Sequence, residues 1–208
     1  MGINPKFFHD NAVEHYDTRF RLKRSLTQEE IHNTLRELLF FFISYCKVNN
    51  IKPVLMYGGL IGCYFANKML PWDDDLDIGL FDKTSISNMK EDFCSDENII
   101  IEINPYSYEY SEADTENIIS ARCISRKNGL YIDIVYFKQD ETCLRCKDGN
   151  VYQTNCVFPL RKVIFEGVEI FAPNDVECCL IQRYGKEVLK PLDNKGWLFK
   201  KGKWVRSL

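Results

Sequence analysis

The chain has 208 residues, 45% hydrophobic and 27% charged, which suits one large or two small packed domains and excludes an extensively disordered polymer. Its 27 Lys and Arg against 30 Asp and Glu leave a formal net charge of −3, which excludes a generally basic nucleic-acid coat. The longest apolar run, residues 38–43, is far short of the roughly 20 residues that span a bilayer. Stable membrane insertion is therefore not expected, and nucleic acid is not an expected partner.

Met1-Gly2-Ile3-Asn4-Pro5-Lys6 lacks the apolar stretch of a secretory leader. Lys6 also stands where an acylation motif needs Ser or Thr, so a cytoplasmic protein is expected. Residues 1–26 carry the basic cluster Arg19-Phe20-Arg21-Leu22-Lys23-Arg24 and read as a loosely packed arm. Residues 27–208 read as a single domain. Thr27-Gln28-Glu29-Glu30 is a capping box. Ile31, Leu35, Leu38, Phe42 and Tyr45 then recur at helical spacing, which predicts an amphipathic helix over 28–48.

Val54-Leu55-Met56-Tyr57, then Gly58-Gly59, then an apolar stretch over 60–65 predict strand, tight turn and helix. From Asp75 onward, Asp and apolar residues alternate. This predicts a strand with Asp75 and Asp77 on one face and Leu76, Ile78 and Leu80 on the other. Further strands are expected over 99–103, 118–124, 131–137 and 163–170, the last folding back at Glu166-Gly167, with a loop over 104–117 and a helix over 174–184 capped by Asn174. The fold class is α+β, a mixed sheet flanked by helices. The nine cysteines, odd in number and several within apolar segments, are expected to be reduced thiols used as small hydrophobes. Cys143-Leu-Arg-Cys146 lacks a second ligand pair for zinc and reads as a hairpin turn.

The chemistry lies in the carboxylates. Asp75 and Asp77 repel each other on one strand face unless a cation sits between them, and Mg²⁺ or Mn²⁺ suits oxygen ligands of that kind. Asp133 stands inside the apolar segment Leu130-Tyr131-Ile132-Asp133-Ile134-Val135, where an ionised group needs a metal or an arginine. Gly58-Gly59 lets backbone N–H groups approach a phosphate.

Tyr57-Gly58-Gly59-Leu60-Ile61-Gly62 followed by Met69-Leu70-Pro71-Trp72-Asp73-Asp74-Asp75-Leu76-Asp77-Ile78 resembles the LicD family, to which fukutin-type proteins are related. Tyr131-Ile132-Asp133-Ile134, Phe165-Glu166-Gly167, Ala172-Pro173 and Tyr184-Gly185…Pro191 extend the resemblance over about residues 27–195. It implies a nucleotidyltransferase fold with Asp75, Asp77 and Asp133 as metal-binding and catalytic residues, Asp73 and Asp74 shaping the turn or supporting them, Gly58 and Gly59 holding nucleotide phosphates, and Lys68, Arg122 or Arg126 replacing the phosphate-binding arginine of relatives. It also implies transfer of a phospho-alcohol, such as phosphocholine, from a CDP-activated donor to a glycan-type hydroxyl. Two alternatives are a nucleotidyltransferase that adds NMP to a small molecule, protein or RNA, and a non-catalytic nucleotide-binding module.

Overall fold

In the computed structural model, the described residues are 6–8, 10–11, 15–82, 85–86, 89, 97–107, 117–190, 193–194 and 196–207. A hairpin of β1 (Asp10–Asn11) and β2 (Tyr16–Asp17) precedes helix α1 (Gln28–Val48). Thr27 and Glu30 close the capping box on α1, each side chain accepting from the other's backbone N–H, which satisfies two of the helix's free donors. The apolar stripe then buries Leu35, Leu38, Leu39 and Phe42 completely, about 1.5–3 kcal/mol each relative to exposure.

A short strand β3 (Val54–Leu55) leads into α2 (Tyr57–Ala66), and then come β4 (Asp77–Leu80), β5 (Ile99–Ile103), β6 (Ile119–Ser125) and β7 (Tyr131–Tyr136). A small sheet of β8 (Lys138–Gln139), β9 (Cys143–Arg145) and β10 (Val151–Gln153) precedes the one-turn helix α3 (Thr154–Val157). The hairpin β11 (Arg161–Phe165) and β12 (Val168–Ala172) is followed by α4 (Val176–Tyr184) and a 3-10 turn, Lys186–Leu189. Strands β13 (Asp193–Asn194), β14 (Trp197–Lys200) and β15 (Lys203–Arg206) form a third small sheet.

The main sheet has seven strands in the order β11-β12-β3-β4-β7-β6-β5. Its β12–β3 and β4–β7 pairs are parallel and the others antiparallel, so the sheet is mixed and the fold is α+β. Strand alternation sends Leu55, Ile78, Leu80, Ile132 and Ile134 into one core with α1. Val54, Met56, Val135 and Phe137 enter a second core with α2, α3 and α4. The sheet is thus covered on both faces.

Several boundaries move. Helix α2 begins at Tyr57, so Gly58 and Gly59 lie within its first turn rather than before it. The bend is taken by Tyr57, at φ 48°, a conformation unusual for a bulky residue. Asp175, not Asn174, caps α4, accepting from the Cys178 N–H. The predicted loop over 104–117 lies partly outside the described residues, as does Pro191. The hairpin expected at Cys143–Cys146 is β9–β10, with Cys143 on β9 and the turn following Cys146; the addition of β8 to it and the sheet of β13–β15 were not expected.

Two expectations are corrected. Cys156 and Cys178 form a disulfide joining α3 to α4, because the fold brings together cysteines that the sequence separates; six other described cysteines are free and buried. The described part of the N-terminal arm is docked, with Phe8 and Asp17 buried. The Asp17 N–H donates to the Gly129 carbonyl at 2.9 Å. No described helix is long and apolar enough to cross a membrane.

Candidate active site

The site is built on the seam between β4 and β7. These parallel strands place Asp77 directly beside Asp133. Asp133 stands opposite Arg122 on β6, and Arg122 opposite Glu102 on β5. The sheet therefore carries a row of four charged residues on one face, since positions in register share a face. Asp75 lies two residues before Asp77, ahead of the strand.

The turn that delivers these aspartates is held from three sides. Glu166, in the β11–β12 turn, accepts from the Met69 N–H at 2.7 Å and from Arg36 Nε of α1 at 2.8 Å. The Asp73 carbonyl accepts from Gln28 of α1 and meets His32 Nε2 at 3.1 Å. Trp72 packs edge-on against Trp204 of β15, with centroids 4.8 Å apart. The glycines of α2 permit this close approach. A Cβ on Gly62 would stand 2.2 Å from the Lys68 carbonyl oxygen, and one on Gly58 would stand 2.9 Å from Asp73 Oδ2.

A cleft of about 510 Å³ opens over the seam, lined among others by Tyr57, Gly58, Trp72, Asp73, Asp75, Asp77, Asp148, Arg183 and Tyr184. Burial, and then the charges of Asp75, Asp133, Asp73 and Asp148, push the Asp77 carboxyl well above its ordinary value. Asp75 is also raised, chiefly by burial; His15 opposes the shift, while Asp74 and Asp133 add to it. His15 Nδ1 lies 3.9 Å from Asp75 Oδ2. Burial holds the Tyr57 hydroxyl protonated, and that hydroxyl donates to Asp148 at 3.0 Å.

The structure thus brings Gly58, Asp73, Asp75 and Asp77 to one cleft, with Asp133 beside Asp77. Gly59 is buried between Leu55 and Leu76. Three other candidates stand elsewhere. Asp74 faces a smaller pocket with Tyr16, Arg21 and Arg24. Lys68 is exposed and, among the described residues, is not part of the cleft wall. Arg122 is 2% exposed and donates from Nε to Asp133 Oδ1 at 2.6 Å, so it is packed under the carboxylate and not directed at the cleft. The arginine that would explain Asp133 without a metal is therefore present.

Among the described residues the cation on the cleft wall is Arg183 of α4, over the rings of Tyr57 at 5.5 Å and Tyr184 at 5.4 Å. Neither Arg183 nor Asp148 was expected at the site. Arg183 adjoins Tyr184-Gly185, the closing segment of the resemblance, and that adjacency was the available signal. Asp148 stands between β9 and β10 with no pattern around it.

A mixed α+β domain with carboxylates gathered at a glycine-rich helix start is the class of protein that this architecture defines. Residues 50–175 match the family model described as "LicD/FKTN/FKRP, nucleotidyltransferase domain", and the chain belongs to that family. An uncharacterised protein of Rickettsia prowazekii (strain Madrid E) is 26% identical over 172 residues, covering 80% of this chain and 56% of the relative. A second, from Rickettsia typhi (strain ATCC VR-144 / Wilmington), is 25% identical over 171 residues, covering 80% and 47%. The chain spans about half the length of these curated relatives.

Proposed function

We propose that the chain is a metal-dependent transferase of nucleotidyltransferase fold that moves a phospho-alcohol from a CDP-activated donor to a hydroxyl of a glycan-type acceptor. The observation that carries this is the pairing of Asp75 with Asp77 in one cleft, where Asp77 has no cationic partner among the described residues, in a chain of this family.

A divalent cation fits the donor set. Among the described residues no three His, Cys, Asp or Glu side chains form a closed metal cage. Mg²⁺, however, characteristically takes one or two carboxylates and completes its shell with water and phosphate oxygens. Asp75 and Asp77 would hold it, with Asp133 adjoining. When bound, Mg²⁺ or Mn²⁺ neutralises charge on the donor diphosphate. Arg183 would donate to phosphate oxygens from the cleft wall, the place that Lys68 and Arg122 do not take. Gly58 and Gly59 contribute first-turn N–H groups of α2, which lack acceptors within the helix.

In the transfer, the acceptor oxygen forms a bond to the phosphorus of the phospho-alcohol. The bond from that phosphorus to CMP breaks, CMP leaves, and the acceptor proton passes to a cleft carboxylate. Positioning and charge, not covalent help from the protein, carry such a step. The test is a panel of CDP-alcohols and nucleoside triphosphates with Mg²⁺, reading released CMP, released pyrophosphate and thermal stabilisation of wild type against Asp77→Asn. CMP release with a glycan acceptor supports the proposal. Pyrophosphate release would identify a nucleotidyl transfer and overturn it.

A further inference from the structure

The β14–β15 hairpin reverses the charge of the cleft. Residues 196–207 hold four cations, Lys200, Lys201, Lys203 and Arg206, and no acidic residue. They lie outside residues 50–175, which match the family model. The hairpin pairs Phe199 with Trp204 and Lys200 with Lys203. Residues in register share a face, so one face is aromatic and the other carries two lysines at its tip. The aromatic face is seated on the body: Phe65 of α2 meets Phe199 at 5.1 Å and Trp204 at 5.6 Å. Trp204 also meets Trp72, which lines the cleft. The hairpin is therefore anchored beside the cleft.

Its tip is built against its own stability. Like charges directly opposite on paired strands are destabilising, yet Lys200 stands opposite Lys203. The two turn residues, Lys201 and Gly202, have φ 50° and 75°. A two-residue turn with both φ positive favours Asn-Gly or Asp-Gly, and an Asp would also have offset a lysine; the chain places a third lysine there. All three lysines are exposed, and among the described residues none of their ammonium groups is paired to a carboxylate. Lysines on a strand edge discourage pairing with other chains, but Lys201 lies in the turn, off any edge. Departures from local rules concentrate at functional sites, and three crowded ammonium groups suit an anion with several charges. Among the described residues no exposed large hydrophobic side chain lies on the hairpin, so it offers charge without the apolar anchor that a lipid surface rewards.

We propose that the β14–β15 hairpin is a docking surface for a phosphate-bearing stretch of the acceptor polymer, held at Lys200, Lys201 and Lys203 while a hydroxyl of the same chain enters the cleft past Trp72. Such a foothold offsets the repulsion that an anionic chain meets from Asp73, Asp75, Asp77 and Asp148 on the cleft wall. That the polymer is the acceptor rests on the transferase reading; binding at the hairpin does not.

Linear polyphosphate is the probe, its affinity for the full chain read by fluorescence anisotropy of the end-labelled polymer in chelator. Each cation–phosphate contact on a single charged strand contributes about 0.7 to the salt slope, so three predict a loss of about 20-fold between about 50 and 200 mM salt. The triple variant Lys200→Gln, Lys201→Gln, Lys203→Gln should bind about 20-fold more weakly at the lower salt and lose most of that slope. Lys162→Gln, which removes an exposed cation from another hairpin, should bind as wild type does. Affinity of the triple variant within twofold of wild type overturns the proposal. So does tighter binding, at equal phosphate, to phosphatidylglycerol vesicles or single-stranded RNA, because the hairpin then serves a membrane surface or a nucleic acid. In the transfer assay the triple variant should raise the KM of a phosphate-bearing acceptor with kcat unchanged; an unchanged KM overturns the acceptor role. Absence of CMP release by wild type would overturn the transferase reading instead, whatever the hairpin binds, so the two failures are distinct.

Discussion

Asp77 and Asp133 are neighbours in register, yet the protein treats them oppositely. On the β7 side, carboxylates are matched by arginines: Arg122 on Asp133, and Arg19 on both Glu102 and Asp17. On the β4 side, Asp77 is surrounded by Asp75, Asp133, Asp73 and Asp148, and burial raises its carboxyl first of all. Two carboxylates of the same type, on adjacent strands, thus carry different burdens. On the β7 side the carboxylates meet arginines, whereas on the β4 side burial and neighbouring carboxylates raise the Asp77 carboxyl, the asymmetry on which the proposed cation site rests.

The contrast should break most sharply at Asp77. Asp77→Asn is expected to cut turnover roughly 10²–10⁴-fold, the equivalent of several kcal/mol of charge stabilisation. In chelator it should melt higher than wild type, because a buried repulsion is removed. A lower melting temperature in chelator would show that Asp77 is structural. The pH dependence follows from the same cause. The raised carboxyl of folded Asp77 keeps its proton at pH values where an unfolded carboxyl, near about 3.9, has lost it. Its contribution to metal-free stability is therefore complete below the unfolded value and is lost as pH rises through the elevated one. Melting of the metal-free protein between about pH 4 and 8 should show this loss in wild type and a flatter profile in Asp77→Asn.

Asp133→Asn should act on stability in the opposite sense. It leaves Arg122 buried with its partner neutralised, a change worth about 3–5 kcal/mol, measurable by urea denaturation. Arg183→Gln comes next: removing a charged donor to phosphate should raise the KM for the donor about 10–100-fold, with the metal-free melting temperature unchanged. The smallest effect should follow Lys162→Met, which breaks the exposed pair with Glu169 on the β11–β12 hairpin. A cost of about 0–1 kcal/mol is expected, showing that charge matching matters where water is excluded.

Much of this was legible in the chain. The capping box and apolar stripe announced α1, because local hydrogen bonds and helical periodicity determine both. The alternation after Pro71-Trp72 announced the strand that begins at Asp77, while Asp75 lies ahead of it and reaches the same cleft from the preceding turn. Other features were not legible. Tyr57 in place of a glycine makes the bend at α2, and no local rule prefers a bulky residue there. The partner of Arg122 depends on strand register, and Arg183 enters the cleft only because α4 packs back across α2. The arm looked loose because its apolar content is low; its buried anchor, Asp17, is polar and held by charge.

The sequence by itself therefore determined the two long helices, most strands of the main sheet and the family to which the chain belongs, since these follow from local periodicity and from a contiguous motif. Tertiary structure decided which carboxylate is matched, which arginine faces the cleft and which cysteines pair. Those outcomes depend on contacts between residues far apart in the chain, where burial converts a few ångströms of placement into the difference between a neutralised charge and an available one. Among the described residues that line the cleft, four aspartates, Asp73, Asp75, Asp77 and Asp148, stand with one arginine, Arg183.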